Sequence, residues 1–155
     1  MINPFTTLTA GVSNRLTTGL ANLNNPAGPV TTDISVLTED TGDLETKIDK
    51  AIDQIGLLIL IGQPHFVNQT PTAPQSGMKI LFAIAIGENP EAWRDEAGLN
   101  PHCLDVVGYV TALLAQYPVA GYLPLRVMRA DFFPDKKRQL YELSIETMTT
   151  VNPIP

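Results

Sequence analysis

Two rhythms run through the apolar positions of this chain. One recurs every three or four residues and predicts helices; the other is continuous or strictly alternating and predicts strands. Leu44, Ile48, Ile52 and Ile55 form a helical stripe. Thr41 or Asp43 can cap its start, acidic residues occupy its first turn, and Gly56 suits the position after its end. A helix over 43–55 follows. Its other face carries Glu45, Asp49 and Asp53, with Lys47 and Lys50 among them. That face is either simply solvated or an acidic surface lining something. Leu57–Ile61 is a continuous apolar run between Gly56 and Gly62, as expected of a central strand. Lys79–Ile86 is a second strand, with Ile80, Phe82, Ile84 and Ile86 on one face and Leu81, Ala83 and Ala85 on the other.

A short turn of helix is expected from Glu88-Asn89-Pro90-Glu91 through Trp93, ended by Gly98. Asn100-Pro101 then opens the longest helical stripe, over 102–117: Cys103, Val106, Val107, Val110, Leu113, Leu114 and Tyr117, stopped by Pro118. Residues 123–133 and 138–151 predict a terminal hairpin turning through Pro134-Asp135-Lys136-Lys137. On its second strand Tyr141, Leu143 and Ile145 face the core, while Glu142, Ser144 and Glu146 face away, the alternation of a sheet wet on one side.

The remaining segments are polar. Phe5, Leu8, Val12 and Leu16 recur at helical spacing after Asn3-Pro4, but among many threonines they make a marginal helix that needs something to pack on. It could lie on its own domain, dock on a neighbouring subunit, or stay disordered. Residues 21–30 are a Pro, Gly and Asn cluster, and 31–37 can form a short strand with Ile34 and Val36 on one face. The loop 63–78 holds three prolines and is long for a compact domain. The expectation is an N-terminal arm, 1–30, and one α+β domain, 31–155. That domain has a mainly antiparallel sheet of four or five strands, helices 43–55 and 102–117 on one face, and the long loop projecting.

Composition narrows the function more than the fold. The 155 residues suit one domain, and at 44% hydrophobic they can bury a sizeable core. A formal charge of −6 disfavours broad binding to nucleic-acid phosphates. The single cysteine, Cys103, excludes an intrachain disulfide. The first residues lack a basic and then apolar leader, and no apolar run approaches the length that spans a bilayer. The expected protein is soluble, made and used in a cytoplasm or in a particle assembled there.

Candidate chemistry is sparse. His65 lies in the long loop; His102, Cys103 and Asp105 lie at the start of the major helix. Neighbouring His102 and Cys103 point about 100° apart on a helix, no second pair has ligand spacing, and Cys103 fits the apolar stripe. No metal or cofactor is expected. The glycines match no phosphate-binding pattern. Carboxylate pairs such as Glu142/Glu146 read as solvated. Lys136-Lys137-Arg138 at the hairpin tip is a solvated turn or a contact for an acidic partner surface.

The element order resembles the tail-terminator and tail-completion (neck) proteins of long-tailed bacteriophages over roughly residues 33–151. The residues that carry the resemblance are Gly42-Asp43-Leu44 leading into Gly56-Leu-Leu-Ile-Leu-Ile-Gly62, Ile84-Ala-Ile-Gly-Glu-Asn-Pro90, Leu104-Asp-Val-Val107, and Tyr141-Glu-Leu-Ser-Ile145. The resemblance implies a structural virion protein with no active site. It implies a hexameric ring at the end of a tail tube, which stops tube polymerisation and meets the head connector. Its partners would be further copies of itself, the tail tube protein and a neck protein, with DNA only passing through the lumen. The 1–30 segment departs from the family, so another neck ring stays open. The rival classes are a small soluble enzyme using His65, His102 and Asp105, and a monomeric binding module.

On the assembly reading, the candidate contact residues are Phe5, Leu8, Val12 and Leu16 in the arm, Phe66, Val67 and Met78 in the loop, and Lys136, Lys137 and Arg138 at the hairpin tip. Ordering each residue costs roughly 1–2 kcal/mol of backbone entropy. Burying a large apolar side chain between subunits returns about 1.5–3 kcal/mol. Both segments are therefore expected to order only against a neighbour.

Overall fold

A computed structural model of the chain describes residues 4–23, 36–39, 41–67, 79–93, 102–134 and 139–149, with the backbone alone for 4, 5, 21–23, 93 and 134. In chain order the elements are α1 (Pro4–Leu23), β1 (Val36–Thr38), α2 (Leu44–Lys50) with a π-helical turn at Ala51–Ile55, β2 (Leu57–Ile61), β3 (His65–Phe66), β4 (Lys79–Glu88), α3 (Pro90–Trp93), α4 (Cys103–Leu114), β5 (Arg126–Pro134) and β6 (Gln139–Met148). The sheet runs β1-β2-β4-β6-β5, and β3 pairs with β4 beside that path. Among the described residues only the β1–β2 pair is parallel. The expected α+β class and mainly antiparallel sheet are what the chain forms. The additional strand is β3, which the proline-rich composition of 63–78 concealed.

β2 and β3 together make a broken lane along β4. Gly62 donates its N–H to the Ala83 carbonyl at 2.7 Å, so the lane bends without losing the ladder. A Cβ there would stand 3.0 Å from the same oxygen, which is why a glycine occupies the bend. Asn89 then ties the exit of β4 to the end of the second helix. Its N–H reaches the Gly56 carbonyl at 2.8 Å and its side-chain amide the Ile52 carbonyl at 3.2 Å, while its side-chain oxygen accepts the Glu91 N–H.

Strand alternation sorts the core into two layers. Leu57, Ile59 and Ile61 of β2, Ile80, Phe82, Ile84 and Ile86 of β4, and Leu143 and Ile145 of β6 share one face. Cys103, Val106, Val107, Val110 and Leu114 of α4 cover it, together with Leu8, Val12, Leu16 and Leu20 of α1. Among the described residues the opposite face is covered at its β1–β2 end, where Ala51 and Ile52 sit on Leu37 and Leu58 with Leu44, Ile48 and Leu60 around them. Two helices do share a face, but the pair is α1 and α4. The 43–55 helix, expected beside 102–117, lies on the other side. The reason is β2: its apolar run has no polar face, so both sides need cover, and Leu58 attracts one helix while Leu57 and Ile59 attract others.

α1 is the larger correction. The 1–30 segment was expected as an arm, yet over Pro4–Leu23 it is a 20-residue helix built into the main core. Leu8, Val12 and Leu16 have no exposed surface at all. Nothing in the threonine-rich sequence disclosed the surface waiting for it: α4 and the turn after it. The expected cap at Asn100, the loop 68–78 and the strand residues 31–35 lie outside the described residues.

Candidate functional site

The seam that holds α1 is built from small residues and one cation. A Cβ on Gly19 would come within 2.4 Å of Leu113 Cδ2, and one on Gly11 within 2.9 Å of Val119 Cγ1. The absence of side chains at these two positions lets the helix lie close against α4 and the segment that follows. Arg15, the only charge between Pro4 and Leu23, donates from Nε to the Leu113 carbonyl at 3.0 Å. Its guanidinium also stacks over the Tyr117 ring, 4.8 Å from the centroid. One arginine thus satisfies a carbonyl of the last helical turn and covers an aromatic face.

α4 takes its start from the sheet. Its N-cap, His102, makes no side-chain capping bond. The carboxylate of Glu88, 1% exposed at the end of β4, instead accepts the Cys103 N–H at 3.1 Å. A buried carboxylate at a helix N-terminus is held by both the free N–H and the helix dipole. Cys103 itself is a core residue, fully buried with Sγ on the Ile86 carbonyl side at 3.7 Å.

The face of β4, β6 and β5 that no described residues cover is polar but not loosely so. Glu146, 8% exposed, sits between Lys79 at 3.3 Å and Arg126 at 3.7 Å, a cross-strand triad over three neighbouring strands. The alternation marked Glu146 as solvated. The structure buries it, because Arg126 is its register partner on β5 and Lys79 stands diagonally across on β4, two residues from its partner Leu81, and the two supply the charges burial requires. Farther along β5, Arg129 pairs with Asp131 at 2.9 Å. The segment before β5 is pinned to β6: Leu123 N–H donates to the Met148 carbonyl and Thr147 Oγ1 to the Leu123 carbonyl. Next to that join is an open hollow of about 280 Å³ among Gln116, Leu123, Pro124, Arg126, Glu146 and Met148. Tyr122, beside the join, is buried, and that burial pushes its phenol above the ordinary value of 10.0.

β5 is the exposed margin of the molecule. Among the described residues it pairs only with β6, so its outer backbone edge is open. Met128, Phe132 and Phe133 are 46–52% exposed along it, and Arg126 and Arg129 flank Met128. A bulge between Val127 and Arg129 breaks the first half of the strand, a device that discourages random pairing. The second half is regular to Pro134. Phe132 rests partly on Tyr141, ring centroids 5.0 Å apart. The sequence pattern offered no sign that this strand, and not the N-terminal segment, would carry the exposed aromatic rings.

The contact residues inferred from sequence fall into three groups. Leu8, Val12 and Leu16 are committed to the chain's own core and do not face a neighbour. Phe66 is exposed on β3, and Val67, half-buried, donates its N–H to the Lys79 carbonyl at 2.9 Å. The Phe5 side chain, Met78, Lys136, Lys137 and Arg138 lie outside the described residues. His65, His102 and Asp105 are all exposed but are not brought together. His65 is opposite Leu81, whereas His102 follows the far end of β4, about 23 Å away at ~3.3 Å per residue. Among the described residues no group of three or more His, Cys, Asp or Glu could hold a metal ion, and no helix is long and apolar enough to cross a membrane.

No protein-family model and no curated protein sequence matches the chain. Among solved structures it is similar to a chain from the virion of a native gene transfer agent (GTA) particle. The identity is 14% and the TM-score 0.56, and the match covers 92% of this chain and 93% of that one. At that identity the likeness is one of fold, and it runs nearly end to end.

Proposed function

We propose that this chain is a structural virion protein of a phage-type particle, and that copies of it form a hexameric ring at the end of a tail tube. The ring ends tube polymerisation and joins tail to head, with DNA passing through its lumen, and the chain performs no catalytic step. The observation that carries the reading is the near end-to-end fold match to a chain of a gene transfer agent virion. An open sheet edge lined with exposed Met128, Phe132 and Phe133 supports it, since ring subunits need a surface left for a neighbour.

The test is deletion of the coding sequence followed by imaging of the particles produced. The expected result is tubes of uncontrolled length that lack heads. Tubes of normal length that fail to join heads would assign the chain to another neck ring. Intact, joined particles lacking this protein would end the structural reading altogether.

A further inference from the structure

The buried apolar side chains fall into two groups of unequal size. The main cluster joins α1 and α4 to one face of β2, β4 and β6. The smaller one holds Leu37 of β1, Leu58 of β2, and Ala51 and Ile52 of the π-helical turn, with Leu44, Ile48 and Leu60 packed around them. α2 itself, Leu44–Lys50, buries no residue. Seven residues are too few for a helix to stand alone in water, so α2 owes its order to this small contact.

Both ends of this helical segment are joints. Asp43 enters it at φ 57 and makes no side-chain capping bond, and Gly56 leaves it at φ 92. Hinges absorb their rotation at such element-terminal positions. The last turn is π-helical, a rare form that recurs at functional sites, and the Gly56 N–H closes it on the Ala51 carbonyl at 2.7 Å. Ile55 packs on the main cluster and not on the small one, which roots the segment at its exit. Just before that root, the Asn89 side-chain amide reaches across from the end of β4 to the Ile52 carbonyl at 3.2 Å.

We propose that α2 and its π turn form a hinged cover over the β1–β2 end of the sheet, which opens while the main core stays folded, with Asn89 as its latch. Separate clusters open separately when one is small and the other carries most of the burial. Opening bares Leu37, Leu58 and Leu60, while Leu57, Ile59 and Ile61 of β2 stay in the main core. The closed protein thus hides an apolar strip on the second face of its sheet and can show it without unfolding. This device is independent of the ring reading.

Thiol accessibility in the full chain tests it. Cys103, fully buried in the main cluster, reports global opening. Ala51→Cys adds one sulfur atom under the cover, at a position 2% exposed. Both thiols are labelled in one sample with N-ethylmaleimide under native conditions, and peptide mass spectrometry reads each rate relative to the denatured chain. The thiol at position 51 is expected to react at least ~100-fold faster than Cys103. Leu16→Ala, which loosens the main core alone, is expected to speed Cys103 at least ~30-fold and leave position 51 unchanged. Asn89→Ala is expected to speed position 51 roughly 5-fold. Wild-type amides over 44–54 should likewise exchange faster than those of β4, a readout that needs no substitution. Equal relative rates at the two thiols, or parallel acceleration of both by Leu16→Ala, overturn the cover. Fast labelling at position 51 with wild-type amides over 44–54 as protected as those of β4 assigns the opening to the substitution and overturns it too. Asn89→Ala without effect at position 51 overturns the latch.

Discussion

Glycines show at single-residue scale how the same substitution can have opposite signs. Gly108, on the exposed side of α4, has nothing within 4 Å of where a Cβ would be. Gly108→Ala should therefore stabilise the protein by about 1 kcal/mol through helix propensity alone. At Gly19 the space is already taken by Leu113, so Gly19→Leu should destabilise by about 1–3 kcal/mol despite the better helix former. Chemical denaturation of both variants checks the pair, and equal signs would contradict the close seam. Tyr122 gives a pH dependence. Well below pH 10.0 its phenol is neutral in folded and unfolded chains alike. Above that, the unfolded phenol ionises first while burial keeps the native one protonated, so the native state holds more protons and its stability falls as pH rises. Tyr122→Phe should lose stability less steeply than wild type from pH 10 upward, read from melting temperatures across that range.

At the scale of elements, α1 decides how much of the chain is core. Four of its side chains, Leu8, Val12, Leu16 and Leu20, are at most 3% exposed. Leu16→Ala should then cost about 2–5 kcal/mol, the range for a buried leucine whose cavity cannot fully collapse. A loss below about 0.5 kcal/mol would restore the detached arm. The capping of α4 from β4 belongs to this scale too. Glu88→Ala removes the carboxylate that accepts the Cys103 N–H at a buried helix end, and about 1–3 kcal/mol of stability should go with it. His102→Ala, which removes no capping bond, is the matched control.

For the whole molecule, α1, α4 and the sheet share one cluster of buried residues, which makes them one cooperative unit. Backbone amides in α1 should therefore exchange hydrogen at the rate of global unfolding, as those of β4 do, in the free chain and before any assembly. Fast exchange through residues 8–20 in the free chain would separate α1 from that unit. The same global view leaves β5 as a margin: it is a terminal strand, its neighbour on one side is β6, and its exposed rings have no covering element among the described residues.

Much of the fold was legible because its signals are local. The apolar run Leu57–Ile61, the alternation through Lys79–Ile86 and the stripe from Cys103 to Leu114 each declare their element within one window, and each formed. The α+β class and the antiparallel bias follow from their order. Three features were not legible, for one reason: each depends on a partner distant in sequence. α1 is core because Leu113, Val119 and Tyr117 lie ~100 residues away to receive it; the separation of Arg15 from Leu113 is 98. Glu146 is buried because Lys79 and Arg126 flank it across strands. The exposed rings of β5 are a margin only because β6, not β5, lies beside β4. Periodicity tells which face of an element is apolar, but the element that covers that face, or leaves it bare, is chosen by tertiary packing.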